Sequence, residues 1–424
     1  MPSTKEKKIV IKAINDMGRR VSAADIATKT GLPVSITTQT LNQIAEEASG
    51  HLQVSEAGDI AYRFPLGYQT AYISRGIKRF IEQVNNKLFE VGFFLLRISF
   101  GVMLILSLVT IVLLFFLILS AMSRGRDNDN SDGFNIDLDF FDWMILRDLI
   151  YWQISYPDYN GPRDAGIKNK SDKTNFLYNC FSFLFGDGNP NANLEERRWH
   201  AIGQLIRQQK EVVTVEQLAP YTGEDPNNED KMLPVLVRFD GRPTVTDSGN
   251  IVYLFPALQA TALRQNFEEL PSRQTVLPWR EELPSYLQIF PWRFSQVDGG
   301  SLVWVMALAA INFIASWFIY FQAVNLLPSL TPLLLALVIY GSLFIGIPLI
   351  RYIVIQSLNK RIEEGNTRRK QYADKLAKPN AELNKKLSEA KDMTLDSRQI
   401  KSDNLVYDTQ KGILEQEFHS SSNS

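Results

Sequence analysis

Cysteine is nearly missing from this 424-residue chain. Cys180 stands alone, so no internal disulfide forms and no Cys cluster is present for zinc or an iron–sulfur centre. Histidine is scarce as well: His51, His200 and His419 lie too far apart in sequence to make a metal-binding motif. Net charge is close to absent, at -1, so no overall field draws the chain to nucleic acid or to acidic substrates, and any partner surface must be local. A Gly-rich phosphate loop, a nucleophile elbow and a zinc motif are missing too. We therefore expect no catalytic, cofactor-binding or metal-site residues, no cofactor, and a chain that is not an enzyme. Cys180, beside Phe181 and Phe183, reads as an inert buried thiol. The opening MPSTKEKKIVIK has neither an apolar signal core nor a transit-peptide composition, so no cleaved leader is expected.

What the chain has is long uncharged runs. Residues 98–123 are 26 uncharged positions in a row, longer than the ~20 that cross a ~30 Å hydrocarbon layer as a helix. A transmembrane helix is expected over 91–119, with Arg97 reaching back to the interface. Before it, residues 75–90 read as an amphipathic juxtamembrane helix whose Arg75, Lys78, Arg79 and Lys87 suit anionic headgroups. From 299 to 350 there is again no charge, over 52 positions. This predicts transmembrane helices over 302–321 and 333–350, joined by a turn at Asn325–Pro332. Ser342 and Gly346 have the small-xxx-small spacing that lets helices approach, and Pro348 should kink the exit.

Residues 1–70 read as three helices closed by a hairpin, the winged-helix pattern. Ile9, Ile11, Ile14 and Met17 give a face to the first helix, Ser22 and Asp25 form a capping box for the second, and Gly31 ends it. A third helix fits Val34–Ala48, and strands pair around Glu56-Ala57-Gly58. Ile60, Tyr62 and Phe64 alternate to place one strand face on the helices. The pattern returns over 195–260. Val21-x4-Ile26-Ala27-x2-Thr30-Gly31 is matched by Val213-x4-Leu218-Ala219-x2-Thr222-Gly223, and Val54-x3-Gly58-x-Ile60-x-Tyr62-x-Phe64-Pro65 by Val245-x3-Gly249-x-Ile251-x-Tyr253-x-Phe255-Pro256. Even the box recurs, as Thr214 and Gln217. We read an internal duplication whose shared residues serve the fold. The expected fold class is thus a mainly α membrane protein of about three transmembrane helices with two winged-helix-like (α+β) soluble modules.

Between these parts lie an acidic linker over 123–139, whose Asn128-x-Asn130-x-Asp132-Gly133 fails as a calcium loop beyond its first half, and an aromatic interfacial helix over 140–156. Residues 351–418 read as a charged helical tail, with Leu376, Leu383, Leu387 and Ala390 on one side and an end around Leu405-Val406-Tyr407 that docks on another part of the chain; 419–424 read as disordered. Basic residues flank both the first and the last span, which three crossings cannot place on one side; the N-terminal module is assigned to the cytoplasmic side, and re-entry of 140–156 stays open.

FLFGDGNPN, EERRW, the paired Tyr-x-Phe-Pro endings and LVYDTQKGILEQE together resemble an uncharacterised integral membrane protein family of cyanobacteria and chloroplasts, over most of the chain. The resemblance implies a thylakoid or plasma membrane location. Some plastid relatives carry an iron–sulfur biosynthesis label, for which a sole Cys180 offers no ligand set. The expected function is a non-enzymatic membrane scaffold or assembly factor serving a photosynthetic membrane, with the lipid bilayer and an unidentified membrane protein complex as partners. A homo-oligomer through the tail stays open. The alternative is a membrane-tethered DNA-binding regulator. Against it, Pro33–Ala48, where a recognition helix would sit, has no Lys or Arg, and residues 197–260 carry 7 basic against 8 acidic residues. Residues 1–80 carry 11 against 7, with Arg19, Arg20 and Lys29 as the candidate phosphate contacts.

Overall fold

The architecture comes from a computed structural model that describes residues 3–65, 77–123, 176–262, 282–395, 398–400 and 404–409. Apart from Ser123, the expected acidic linker lies outside them, as do the aromatic helix over 140–156 and the end at 419–424. The chain forms two compact units, one from Met1–Ile81, Pro190–Pro291 and Asn359–Ser424, the other from Glu82–Asn189 and Trp292–Leu358.

The first unit begins with α1 (Thr4–Asp16), whose Ser3–Glu6 capping box closes its free amides. Val10, Ala13, Ile14 and Met17 are its buried stripe, an i, i+3, i+4, i+7 pattern. Ile9 and Ile11, which the sequence reading counted in that face, lie only part-buried on either side of it. β1 (Arg20–Ser22) leads into α2 (Ala23–Thr30), capped by Ser22 and Asp25 and stopped at Gly31, whose φ of 69° a side chain would resist. α3 (Val34–Glu47) and the antiparallel strands β2 (His51–Ser55) and β3 (Ile60–Arg63) complete the module, with Gly58 at φ 81° on the hairpin tip. Val10, Ile14, Ile26, Leu41, Ile44 and Tyr62 pack together as its core.

Ile60 departs from the expected alternation: it is 39% exposed, while Ala61 on the other face is fully buried. The reason is tertiary, since Ala262, Ile400 and Leu405 cover Ala61 from parts of the chain remote in sequence.

The second module repeats the order. α6 (Leu194–Gln208), β4 (Val212–Val213) and α7 (Val215–Thr222) precede a 3-10 turn at Glu229–Met232, then α8 (Leu233–Phe239) and the hairpin β5 (Arg242–Val245) and β6 (Ile251–Leu254). Matched positions take matched conformations. Thr214 and Gln217 form a capping box, Gly223 has φ 76° and Gly249 φ 81°, and Val213 pairs with Tyr253 as Val21 pairs with Tyr62.

The tail is not helical throughout. α10 (Thr331–Ala377) runs unbroken past residue 350, with Pro348 inside it. Lys378 and Pro379 interrupt it, Asn380 caps α11 (Ala381–Asp392), and the chain then turns extended as β8 (Arg398–Gln399) and β9 (Leu405–Asp408). Free strand edges decide this outcome. β9 pairs with β2, giving a sheet ordered β1-β3-β2-β9, and β8 pairs in parallel with β7 (Ala260–Thr261). α11 lies on the second module, where Ala390 joins Val212, Val252 and Leu254. There Glu389 Oε2 accepts from Thr246 Oγ1 (2.6 Å) and Asn250 Nδ2 (2.9 Å), and these bonds hold its carboxyl down at about 2.

Among the described residues the second unit holds three helices long and apolar enough to cross a membrane, at Leu95–Ser120, Gly299–Ala323 and the apolar part of Pro328–Ala377. The first lies within α4 (Ile77–Ser123), which fuses the expected juxtamembrane helix and span into one helix from Ile77 onward. The second is α9 (Gly299–Ala323). A short helix, α5 (Phe176–Phe185), is buried beside them: Cys180, Phe183 and Leu184 pack with Leu104, Val305 and Phe344. Arg351 donates to the carbonyls of Ser182 (3.2 Å), Phe183 (3.1 Å) and Phe294, closing the C-terminal end of α5, where Gly186 leaves it room. The Arg97 guanidinium, expected at the interface, lies over the rings of Phe93 (4.6 Å), Phe181 (5.2 Å) and Tyr178 (5.6 Å).

The close helix approach is at Gly341, not Gly346. A Cβ at 341 would lie 2.9 Å from Ser316 Oγ and 3.0 Å from Asn312 Oδ1, whereas one at 346 would meet nothing within 4 Å. Asn312 in turn donates to Ser107 of α4, so three helices share this polar node. Gly341→Ala is expected to cost about 1–3 kcal/mol by overpacking, while Gly346→Ala should gain up to about 1 kcal/mol from helix propensity alone. Thermal unfolding of the detergent-solubilised chain checks the pair, and midpoints moving in the same direction would refute the assignment.

Candidate functional site

Two features of the first unit stand out: a charged seam between its modules and an apolar face left in the open. Among the described residues no group of three or more His, Cys, Asp or Glu is placed to hold a metal. Cys180 sits fully buried among apolar side chains of the second unit.

The seam is built from helix ends. The capping box puts Asp25 at the start of α2, with its Oδ2 accepting from the Ser22 amide (3.0 Å). The same oxygen accepts from the Ala262 amide (2.9 Å), and Ser22 Oγ donates to the Ala260 carbonyl (2.8 Å). From the last turn of α6, Arg207 reaches Asp25 Oδ1 (3.3 Å) and Glu211 Oε1 (3.4 Å), and also donates to the Leu258 carbonyl. All three charged side chains are at most 2% exposed. Two carboxylates thus face one guanidinium in a dry interior, and Glu211 Oε2 has no hydrogen-bond partner. Burial lifts the Glu211 carboxyl to about 7, against the pull of Arg207 and Lys210. Burial also lowers Arg207, which Asp25 and Glu211 hold up in part.

Around this cluster the backbones come close. A Cβ at Gly31 would lie 2.7 Å from Trp199 Cβ and 2.8 Å from the His200 nitrogen, so Gly31 both ends α2 and admits α6. Arg238 stacks over Trp199 at 4.3 Å and donates to the Gly31 carbonyl at 2.5 Å. Asp25 and Gly31, expected as fold residues of one module, both also contact the other. Arg207 was not among the expected residues. A charged residue directly after Ile206, at the end of a helix whose other face is polar, was the available signal.

The helices that could read nucleic acid present little charge. The exposed positions of α3 are Ser35, Gln39, Asn42 and Glu46, and its first residue, Val34, packs against the second module. Of the expected phosphate contacts, Arg20 donates to Gln53 Oε1 (2.9 Å) and to the carbonyls of Ala262 (3.0 Å) and Ile400 (2.9 Å). In the second module Glu224, Asp225, Glu229 and Asp230 come ahead of the third helix in sequence, and Lys231 pairs with Glu224 at 3.6 Å. α8 itself exposes Leu233 (61%) and Val237 (73%), one turn apart on one face, with Pro234 between them in sequence and also exposed. The signal was there: LPVLV is apolar at every position of a short helix, more than one buried face requires.

No protein-family profile and no solved structure matches the chain. An uncharacterized chloroplastic protein of Arabidopsis thaliana is 33% identical to it over 434 residues, covering 98% of this chain and 81% of that protein.

Proposed function

The chain belongs to the same family as this chloroplastic Arabidopsis protein, and on that premise we propose that it is a non-enzymatic integral membrane scaffold or assembly factor of a photosynthetic membrane. Three apolar helices of spanning length support the membrane part, together with the large side chains they expose, among them Leu106, Phe116, Ile314, Phe318, Leu343 and Ile353. We read the two modules of the first unit as copies of one winged-helix unit. Their equal spacing, paired capping boxes, left-handed glycines and shared strand register support that reading.

The observation that carries the scaffold reading is α8. Where a DNA-reading helix of this topology would present cations, it presents Leu233 and Val237 to solvent, a surface suited to another protein. The alternative remains a membrane-tethered DNA-binding regulator acting through Arg19 and Lys29. To separate the two, tagged protein is recovered from gently solubilised native membranes, and co-purifying proteins and DNA are quantified. A stoichiometric membrane complex is expected, with DNA at background and the complex lost on substituting Leu233→Asp and Val237→Asp together. Specific DNA recovery that disappears on replacing Arg19 and Lys29 would establish the regulator instead.

A further inference from the structure

Arg369 and Arg207 are both buried arginines of the first unit, at 8% and 6% exposure, and their surroundings are opposite. Arg207 has two carboxylates and a carbonyl. Arg369 makes no hydrogen bond to any described residue, and its Nε is sealed from solvent without a partner. Its guanidinium is packed on a glycine instead: a Cβ at Gly223 would lie 2.6 Å from Nη2 and 2.8 Å from both Cζ and Nε. A Cβ at Gly365, one helical turn back, would lie 3.1 Å from Nη1. Gly223, which ends α7 at positive φ, therefore also clears a seat for this cation by lacking a Cβ.

Its neighbours do not neutralise it. Arg198 and Arg368 lie close enough to repel it, and among the described residues the one carboxylate that attracts it is Glu224, which also pairs with Lys231. Arg198 bonds Glu195 through Nη1 (2.8 Å) but leaves its own Nε buried and unpartnered. An uncompensated buried guanidinium is costly, and forked donors from several arginines match the oxygens of a phosphate. We infer that Arg369, its guanidinium seated against Gly223, forms with Arg198 and Arg368 a binding site for a phosphate group. A soluble phosphate compound and the headgroup of an anionic phospholipid share that chemistry. This site stands independently of the proposed scaffold role.

The test is thermal unfolding of the full chain in non-ionic detergent, followed by tryptophan fluorescence in phosphate-free buffer. Inorganic phosphate is titrated at constant ionic strength, and phosphatidic acid is added separately in mixed micelles. A probe at tenfold its Kd is expected to raise the midpoint saturably by about 2–3 °C. A response to inorganic phosphate points to a soluble ligand; a response to phosphatidic acid alone points to the membrane. Arg369→Met, which keeps the stem and removes the charge, should unfold at a higher temperature than the parent when no probe is present, and should no longer respond. Arg198→Gln, at the rim, should weaken the response by about tenfold. The site is overturned if neither probe shifts the midpoint, if Arg369→Met still responds, or if that variant unfolds earlier or fails to fold in phosphate-free buffer.

Discussion

Asp25→Ala is expected to destabilise the first unit by about 3–5 kcal/mol, the usual consequence of removing one partner from a buried ion pair. Three losses coincide at this residue. Arg207 keeps only Glu211 among its carboxylates, the Ala262 amide loses its acceptor, and the capping box at Ser22 loses its acidic half. Because the seam joins the two modules, the loss should appear in both and not as a local opening of α2. Denaturant unfolding of the detergent-solubilised chain checks it, and a change below about 1 kcal/mol, the range of an exposed pair, would show that the seam is not the joint we describe. Coupling sharpens the result. With Asp25→Ala already made, Arg207→Met should recover part of the stability, since it removes the charge that was left stranded.

Glu211→Gln is expected to be stabilising at alkaline pH. Burial holds the folded-state carboxyl near 7, above its ordinary 4.5. Between those values the folded chain keeps a proton that the unfolded chain has released. Stability from this group is therefore complete below about pH 4.5 and is lost as pH rises through about 7. At about 1.36 kcal/mol per unit, the change across that window is on the order of 3 kcal/mol. Glutamine mimics the protonated acid, so the variant should match the parent near pH 4.5 and exceed it by about 3 kcal/mol at pH 8. Unfolding curves collected from pH 5 to pH 8 give the answer. An unchanged pH slope in the variant would mean that Glu211 is not the group that titrates.

Much of the first unit was readable from local pattern. Capping boxes at Ser22 and Thr214, left-handed glycines at 31, 58, 223 and 249, and the Tyr62 and Tyr253 strands are short-range features, and each took the conformation that its residues dictate. The uncharged runs were equally plain, because a helix with no polar face across a spanning length leaves few alternatives. The candidate surfaces were harder to read. Counting charges excluded cations from α3, yet it did not find Leu233 and Val237, since their exposure depends on α8 being too short and too apolar to bury every face.

The sequence by itself thus determined the two helix-and-hairpin modules and the three apolar helices, through spacing, capping and hydropathy. Only the tertiary structure decided that Arg207 joins Asp25, that β9 completes the sheet of the first module, that Gly341 and not Gly346 is the helix contact, and that the buried Nε of Arg369 has no hydrogen-bond partner among the described residues. Each of those depends on residues more than a hundred positions apart or on space left by a missing side chain. Local propensity carries no information about either, because both are set when distant surfaces meet.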